Sequence, residues 1–260
     1  MPTALITGAT SGIGRAFAAR LNRHGYDVTL VARTTADLDE VGATLRRPNR
    51  PVRVLAADLA DTAGRERLAA ALTQDVPDLL VNSAGVGLAG AFPFTDPAAE
   101  RDLLEVNVMS VLHATQAVLP GMLRRGSGAV VNVASVAGCG PAWLASTYPA
   151  SKAWVLAFTE STARSAVIRR SGVHLMALLP GYTRTAFHAR AHLGTGHLPA
   201  WLWLSTDQVV DTALRDLDRG RTVSIPSLRY RAAAWALRHA PHRVSAALAW
   251  DFSAAADATP

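Results

Sequence analysis

The chain has 260 residues, half of them hydrophobic and 18% charged, so it holds material for a large core and is not a disordered polymer. The net charge is +6, yet the arginines are scattered among acidic residues and no block of five like charges occurs, which argues against a nucleic-acid partner. The single cysteine, Cys139, excludes an internal disulfide and a cysteine-ligated metal cluster, and the eight histidines show no metal-binding spacing, so no metal is expected.

The first residues, Met1 to Ile6, read as a strand that starts at once rather than as a signal peptide. With no run of about 18 apolar residues recognised, no membrane span is expected, and the chain reads as a cytoplasmic protein. Apolar, unalternating runs fall at Thr3–Thr7, Asp27–Ala32, Val52–Ala56, Asp78–Asn82, Ala129–Ala134, Val173–Leu179 and Thr222–Ile225. Such runs belong to strands covered on both faces. Helix-length segments lie between them, near 12–24, 35–46, 61–74, 97–125, 147–170 and 206–219. Strict strand–helix alternation predicts an α/β chain with a Rossmann-type, doubly wound parallel sheet of about seven strands and helices on both faces. No linker or repeat divides it, so one domain is expected over 1–260.

The first strand runs into Thr7-Gly8-Ala9-Thr10-Ser11-Gly12-Ile13-Gly14, ahead of an amphipathic helix. Glycines between strand and helix let backbone approach a pyrophosphate, and the helix N-terminus supplies free N–H groups and partial positive charge. The spacing is Gly-x-x-x-Gly-x-Gly rather than Gly-x-Gly-x-x-Gly. At the end of the second strand an acid would hold the 2′-hydroxyl of NAD. This chain has Ala32-Arg33 there, and the arginine fork suits a 2′-phosphate, so NADP(H) is expected. Asp37 and Asp39 follow on the next helix and are expected to face solvent. Further along, Gly126 and Gly128 should stop a helix, and Ser205 to Gln208 has capping-box spacing. Residues 182–204 read as a lid, with a core insertion as the alternative, and 227–250 as a helical segment packed on the core or on a partner.

In this order the residues resemble the short-chain dehydrogenase/reductase family, in its compact subtype with NADP preference. The likeness rests on the glycine turn, Asp58-Leu59 after the third strand, Asn82-Ser83-Ala84-Gly85 after the fourth, Asn107, Ser135, Tyr148-Pro149-Ala150-Ser151-Lys152, and Pro180-Gly181-Tyr182-Thr183-Arg184-Thr185 after the sixth. Ser83 stands where the family more often has asparagine. The resemblance implies that Gly8, Thr10, Ser11, Gly12, Ile13, Gly14, Arg33, Asp58, Leu59, Asn82, Ala84, Gly85, Tyr148, Lys152, Pro180, Gly181, Thr183 and Thr185 bind cofactor. It implies catalytic roles for Ser135, Tyr148, Lys152 and Asn107, the last holding a water that relays protons. It also implies a homodimer or homotetramer.

The chemistry suits these residue types. Reducing a carbonyl needs a proton on oxygen, and a phenol with a pKa near 10 needs a neighbouring cation to release or regain one near neutrality. Tyr148 and Lys152 are four apart and share a helix face. Of the 26 basic residues only Lys152 is a lysine. The expected activity is reduction of a ketone or aldehyde, or oxidation of a secondary alcohol. Leu88, Trp143, Leu144, Tyr182, Phe187 and Trp201, with Trp203 beside it, form an expected apolar substrate pocket. Cys139 reads as packing, and Asp102 and Glu105 as solvated carboxylates. Pro149 requires the helix of Tyr148 to begin just before it or to bend. A non-catalytic NADP-binding regulatory or scaffold protein is the alternative. An epimerase or dehydratase would carry a larger C-terminal region, and a membrane-surface role for Arg229–Arg243 competes with simple packing.

Overall fold

The computed structural model describes residues 1–47, 50–90, 92–140, 146–194 and 198–239. Seven strands form one sheet: β1 (Thr3–Thr7), β2 (Asp27–Ala32), β3 (Val52–Ala56), β4 (Leu79–Asn82), β5 (Gly128–Val133), β6 (Val173–Leu178) and β7 (Val223–Ser224). All neighbours are parallel, in the order β3-β2-β1-β4-β5-β6-β7. This is the doubly wound Rossmann-like sheet the sequence predicts. Its order reverses between β1 and β4, which opens a crevice at their carboxyl ends.

The helices are α1 (Gly12–Arg23), α2 (Thr35–Leu45), α3 (Thr62–Gln74), α4 (Pro97–Leu104), α5 (Ser110–Arg125), α6 (Tyr148–Arg164), α7 (Ala166–Arg169), α8 (Phe187–Arg190), α9 (Thr206–Asp218) and α10 (Leu228–His239). Alternate strand residues feed two cores. Ile6, Leu30 and Val81 pack with Phe17 and Leu21 of α1 and Val209 of α9, while Leu5, Val31 and Leu80 pack with Leu68 and Leu72 of α3 and Val118 and Met122 of α5. Burying each such side chain contributes about 1.5–3 kcal/mol, which explains runs apolar at every position.

Punctuation follows local chemistry. Gly126 ends α5 at φ 70°, and Ser205 and Gln208 make both bonds of the capping box that starts α9. Two expected long helices are broken. The 97–125 segment carries a π-helical turn at Glu105–Met109. The 147–170 segment breaks at Ser165, which turns extended and caps α7. The stretch Pro97–Arg125 is also long and apolar enough, by length and composition alone, to cross a membrane, which the sequence reading did not anticipate. In this fold α5 packs on α3, β4 and β5.

Candidate active site

The switch point is held shut from beneath. Thr7 Oγ1 accepts the backbone N–H groups of Ser83 and Ala84, both at 3.0 Å, which pins β4's exit against β1's. Gly8 then turns at φ 65°, and a Cβ on Gly14 would stand 2.3 Å from the carbonyl oxygen of Gly8. No side chain fits there, so the first turn of α1 rests directly on the loop. That turn carries no acid, and its N-cap Ser11 leaves the helix N–H groups free of side-chain bonds. The result is an anion seat.

From this seat runs a crevice of about 930 Å³. One end is lined by Arg33, Asp37, Asp58 and Leu59, the other by Ser135, Tyr148 and Lys152. Gly8, Thr10, Ser11, Gly12, Ile13, Ala84, Gly85, Pro180, Gly181, Thr183 and Thr185 line it between them. Three residues named from sequence lie behind the wall. Gly14 is the support just described. Asn82 turns into the core, donating to Asn132 Oδ1 at 2.9 Å, because β4 and β5 place these two side chains in register. Asn107 is fully buried, and its amide bonds the backbone of Val86 through both ends while also donating to Ser151. Asp37 is exposed on α2, as expected, and also lines the rim of the crevice.

At the other end, α6 begins at Tyr148 with Thr147 as N-cap, so Pro149 falls in the first turn, where no N–H is needed. The cap is held from outside. Glu100 of α4, itself buried, accepts from the backbone and hydroxyl of Thr147 and from the hydroxyl of Thr95. Ser135, two residues past β5, hydrogen-bonds the Tyr148 phenol. After it a short 3₁₀ turn, Val136–Cys139, lies so close to α6 that a Cβ on Gly138 would meet Lys152 backbone at 2.6 Å. Lys152 Nζ donates to the Val133 carbonyl at 3.0 Å and lies 5.8 Å from the Tyr148 ring centre. Cys139 is buried in this packing.

Burial shifts both groups towards their neutral forms. It pushes the Tyr148 phenol up to about 12, against the Ser135 bond, which pulls down, and it draws the Lys152 ammonium down to about 8. The phenol is therefore a proton donor throughout the neutral range, and Lys152 is still mostly charged at pH 7.

The family model for short chain dehydrogenases matches residues 2–194. The chain belongs to the short-chain dehydrogenase family. This family member is 34% identical over 188 residues to the very-long-chain 3-oxoacyl-CoA reductase of Anas platyrhynchos, covering 70% of its own length and 60% of that relative's. It superposes with a TM-score of 0.83 on a short-chain dehydrogenase from Sphingobium yanoikuyae in complex with NADPH, at 35% identity, covering 91% and 93% of the two chains. A bulky-bulky ketone specific alcohol dehydrogenase from Comamonas testosteroni gives 0.78 at 32% identity, covering 91% and 92%. A family member from Burkholderia phymatum in complex with NAD gives 0.79 at 25%, covering 90% and 92%.

The residues of this dehydrogenase fit a dinucleotide. Its crevice floor is bare backbone, where a Cβ on Gly85 would stand 3.3 Å from both Lys152 Nζ and Asn107 Oδ1. The wall over the reaction end is aromatic. Phe187 lies 5.4 Å from Tyr148 between ring centres, and His188, Tyr182 and Trp203 continue the cluster. Leu88, Tyr182 and Phe187 line the crevice as expected. Trp201 does not: it is 63% exposed, with Arg229 5.9 Å from its ring centre. Trp143 and Leu144 lie outside the described residues.

Several contributors were not foreseen. Tyr230 of α10 accepts from Tyr182 N–H and donates to the Leu202 carbonyl, tying these two positions together, and Leu237 lines the crevice beside Gly140. Glu105, expected to be solvated, pairs at 2.8 Å with the buried Arg65. Asp102 lies on the crevice lining.

Glu100 gives the first prediction. Glu100→Ala removes three bonds, two at the start of α6 and one to Thr95, and should cost about 2–3 kcal/mol, at roughly 1 kcal/mol per bond. A thermal melt should show the loss, and turnover should fall with it because Tyr148 is the next residue after the cap. A variant with unchanged melting temperature and turnover would remove Glu100 from this role.

Proposed function

We propose that the chain is an NADP(H)-dependent reductase of apolar ketones or aldehydes, running in reverse on secondary alcohols, with Tyr148 as the acid and base. The observation that carries this reading is the placement of the Tyr148 phenol, its Ser135 partner and the Lys152 ammonium together at the carboxyl-end mouth of the crevice.

A nicotinamide dinucleotide, when bound, supplies or accepts the hydride. The protein's part is positional and protic. Ser135 Oγ donates to the substrate oxygen and holds it beside Tyr148 Oη, which delivers the proton as the oxygen gains charge. The Lys152 ammonium lowers the cost of the phenolate left behind. Asn107 holds the backbone of Val86 and so shapes the floor under the site. The role of holding a relay water rests on the family resemblance.

Substrate choice follows from the wall. Phe187, Tyr182, Leu88 and Leu237 present mainly apolar surface, and burial holds His188 below its ordinary value, hence neutral at pH 7. An uncharged, bulky carbonyl compound suits such a pocket better than a sugar or an acid. The ketone-specific relative from Comamonas testosteroni supports this reading.

NADP preference rests on Arg33, which is exposed on the crevice lining and makes no ion pair among the described residues. Arg33 is the arginine that lines this end of the crevice, where Asp37 and Asp58 are also on the lining. Arg33→Asp should weaken NADPH binding by about tenfold to a hundredfold, the worth of a charge-assisted bond, and tighten NADH. Fluorescence titration with both dinucleotides measures this. An unchanged ratio of the two affinities would show that Arg33 does not select the cofactor.

A further inference from the structure

One short helix of the lid reaches both ends of the site. In α8, Phe187 lies against Tyr148, and Arg190, one turn on, extends to the glycine turn, where its Nη1 donates to Ser11 Oγ at 3.1 Å. Ser11 is the N-cap of α1, and its hydroxyl, which makes no bond to its own helix, accepts from the lid arginine. Thr185 packs on the same turn, its Cγ2 3.0 Å from the place a Cβ on Gly12 would take. The neck of the lid is fixed by Tyr230, and its body already rests on the site, where a Cβ on Gly87 would stand 2.7 Å from Phe187 and 3.0 Å from Ala191.

Arg190 is exposed, lines the crevice, and pairs with no carboxylate among the described residues. A guanidinium carries five donors, and the Ser11 bond uses one. It stands over the N–H groups of α1, where anionic charge is favoured. We propose that Arg190 is a cofactor clamp: its guanidinium spans Ser11 and the dinucleotide's pyrophosphate, so that bound cofactor holds the lid firmly in place over the substrate pocket. The clamp rests on the cofactor reading above and adds to it a coupling, since a pyrophosphate held by Arg190 steadies the short helix that carries Phe187 and His188. It also makes a distinction. The pyrophosphate is common to NADPH and NADH, whereas the 2′-phosphate near Arg33 is not.

The test compares the parent chain with Arg190→Ala, Arg190→Lys and Arg33→Ala, titrating NADPH and NADH by nicotinamide fluorescence. Amide hydrogen exchange over 185–193 is followed with and without NADPH. Arg190→Ala should weaken both dinucleotides by about tenfold or more, a charge-assisted contact's worth, and leave their ratio unchanged. Cofactor-induced protection of 185–193 should vanish, and Arg190→Lys should restore part of both effects. Arg33→Ala should weaken NADPH alone. Affinities within twofold of the parent, a loss confined to NADPH, or intact lid protection in Arg190→Ala would each overturn the clamp. A parent chain that binds neither dinucleotide would remove the cofactor reading, and the clamp with it.

Discussion

Tyr148→Phe should lower turnover of a ketone by about a hundredfold to ten-thousandfold, the range a positioned general acid supplies, and leave NADPH affinity within about twofold. The substitution removes one oxygen. The ring that faces Phe187 stays, and so does the packing of α6 on the 3₁₀ turn. What is lost is the proton that burial keeps on the phenol up to about 12, together with its bond to Ser135. Folding should be nearly unaffected, because a lost bond of this kind costs about 1 kcal/mol. Steady-state kinetics beside a binding titration separates the two effects. Turnover retained within tenfold of the parent would defeat the role given to Tyr148.

Lys152→Met should be nearly as damaging, and its pH signature is specific. In the parent the ammonium is buried, and its pKa lies down at about 8. A base with a depressed pKa is charged below that value and neutral above it. Ketone reduction should therefore hold steady towards pH 7 and fall about tenfold per unit above pH 8, as the cation that supports the phenolate is lost. In Lys152→Met the rate should be low at every pH and the limb near 8 should be absent. Lys152→Arg keeps a charge but not the compact geometry that reaches the Val133 carbonyl, and should recover little. A limb near pH 8 that persists in Lys152→Met would assign it to another group.

The sheet was legible because parallel strands buried on both faces need apolar residues throughout, and those runs stand out between helices. The strand edges moved by a residue or two where only pairing decides them, as at Gly128 and Leu79. The glycine turn and the Tyr148–Lys152 spacing were legible because both are local: each needs particular residues at short separation. What sequence could not show is what partners across the fold decide. The Asn107 amide bonds Val86, 21 residues away, inside the π-helical turn. Asn82 faces Asn132 only because two strands are in register. Glu100 caps α6 across 47 residues, and nothing near it in the chain announces that. Trp201 and Trp203 sit two apart in a segment whose backbone course was unknown, and of the two Trp203 joins the aromatic cluster. Tyr230 and Leu237 lie in a helix beyond the matched family residues, so no motif pointed to them.

Isotope transfer tests the central claim most directly. The protein is incubated with a bulky aromatic ketone and NADPH carrying deuterium on one face of nicotinamide C4, then on the other, and the alcohol is examined by mass spectrometry and NMR. The account predicts deuterium on the carbinol carbon from one face only, the hydroxyl proton coming from solvent, and almost no labelled product with Tyr148→Phe. Alcohol that forms with no deuterium at carbon from either cofactor, or ketone left unchanged while the cofactor binds tightly, would contradict it.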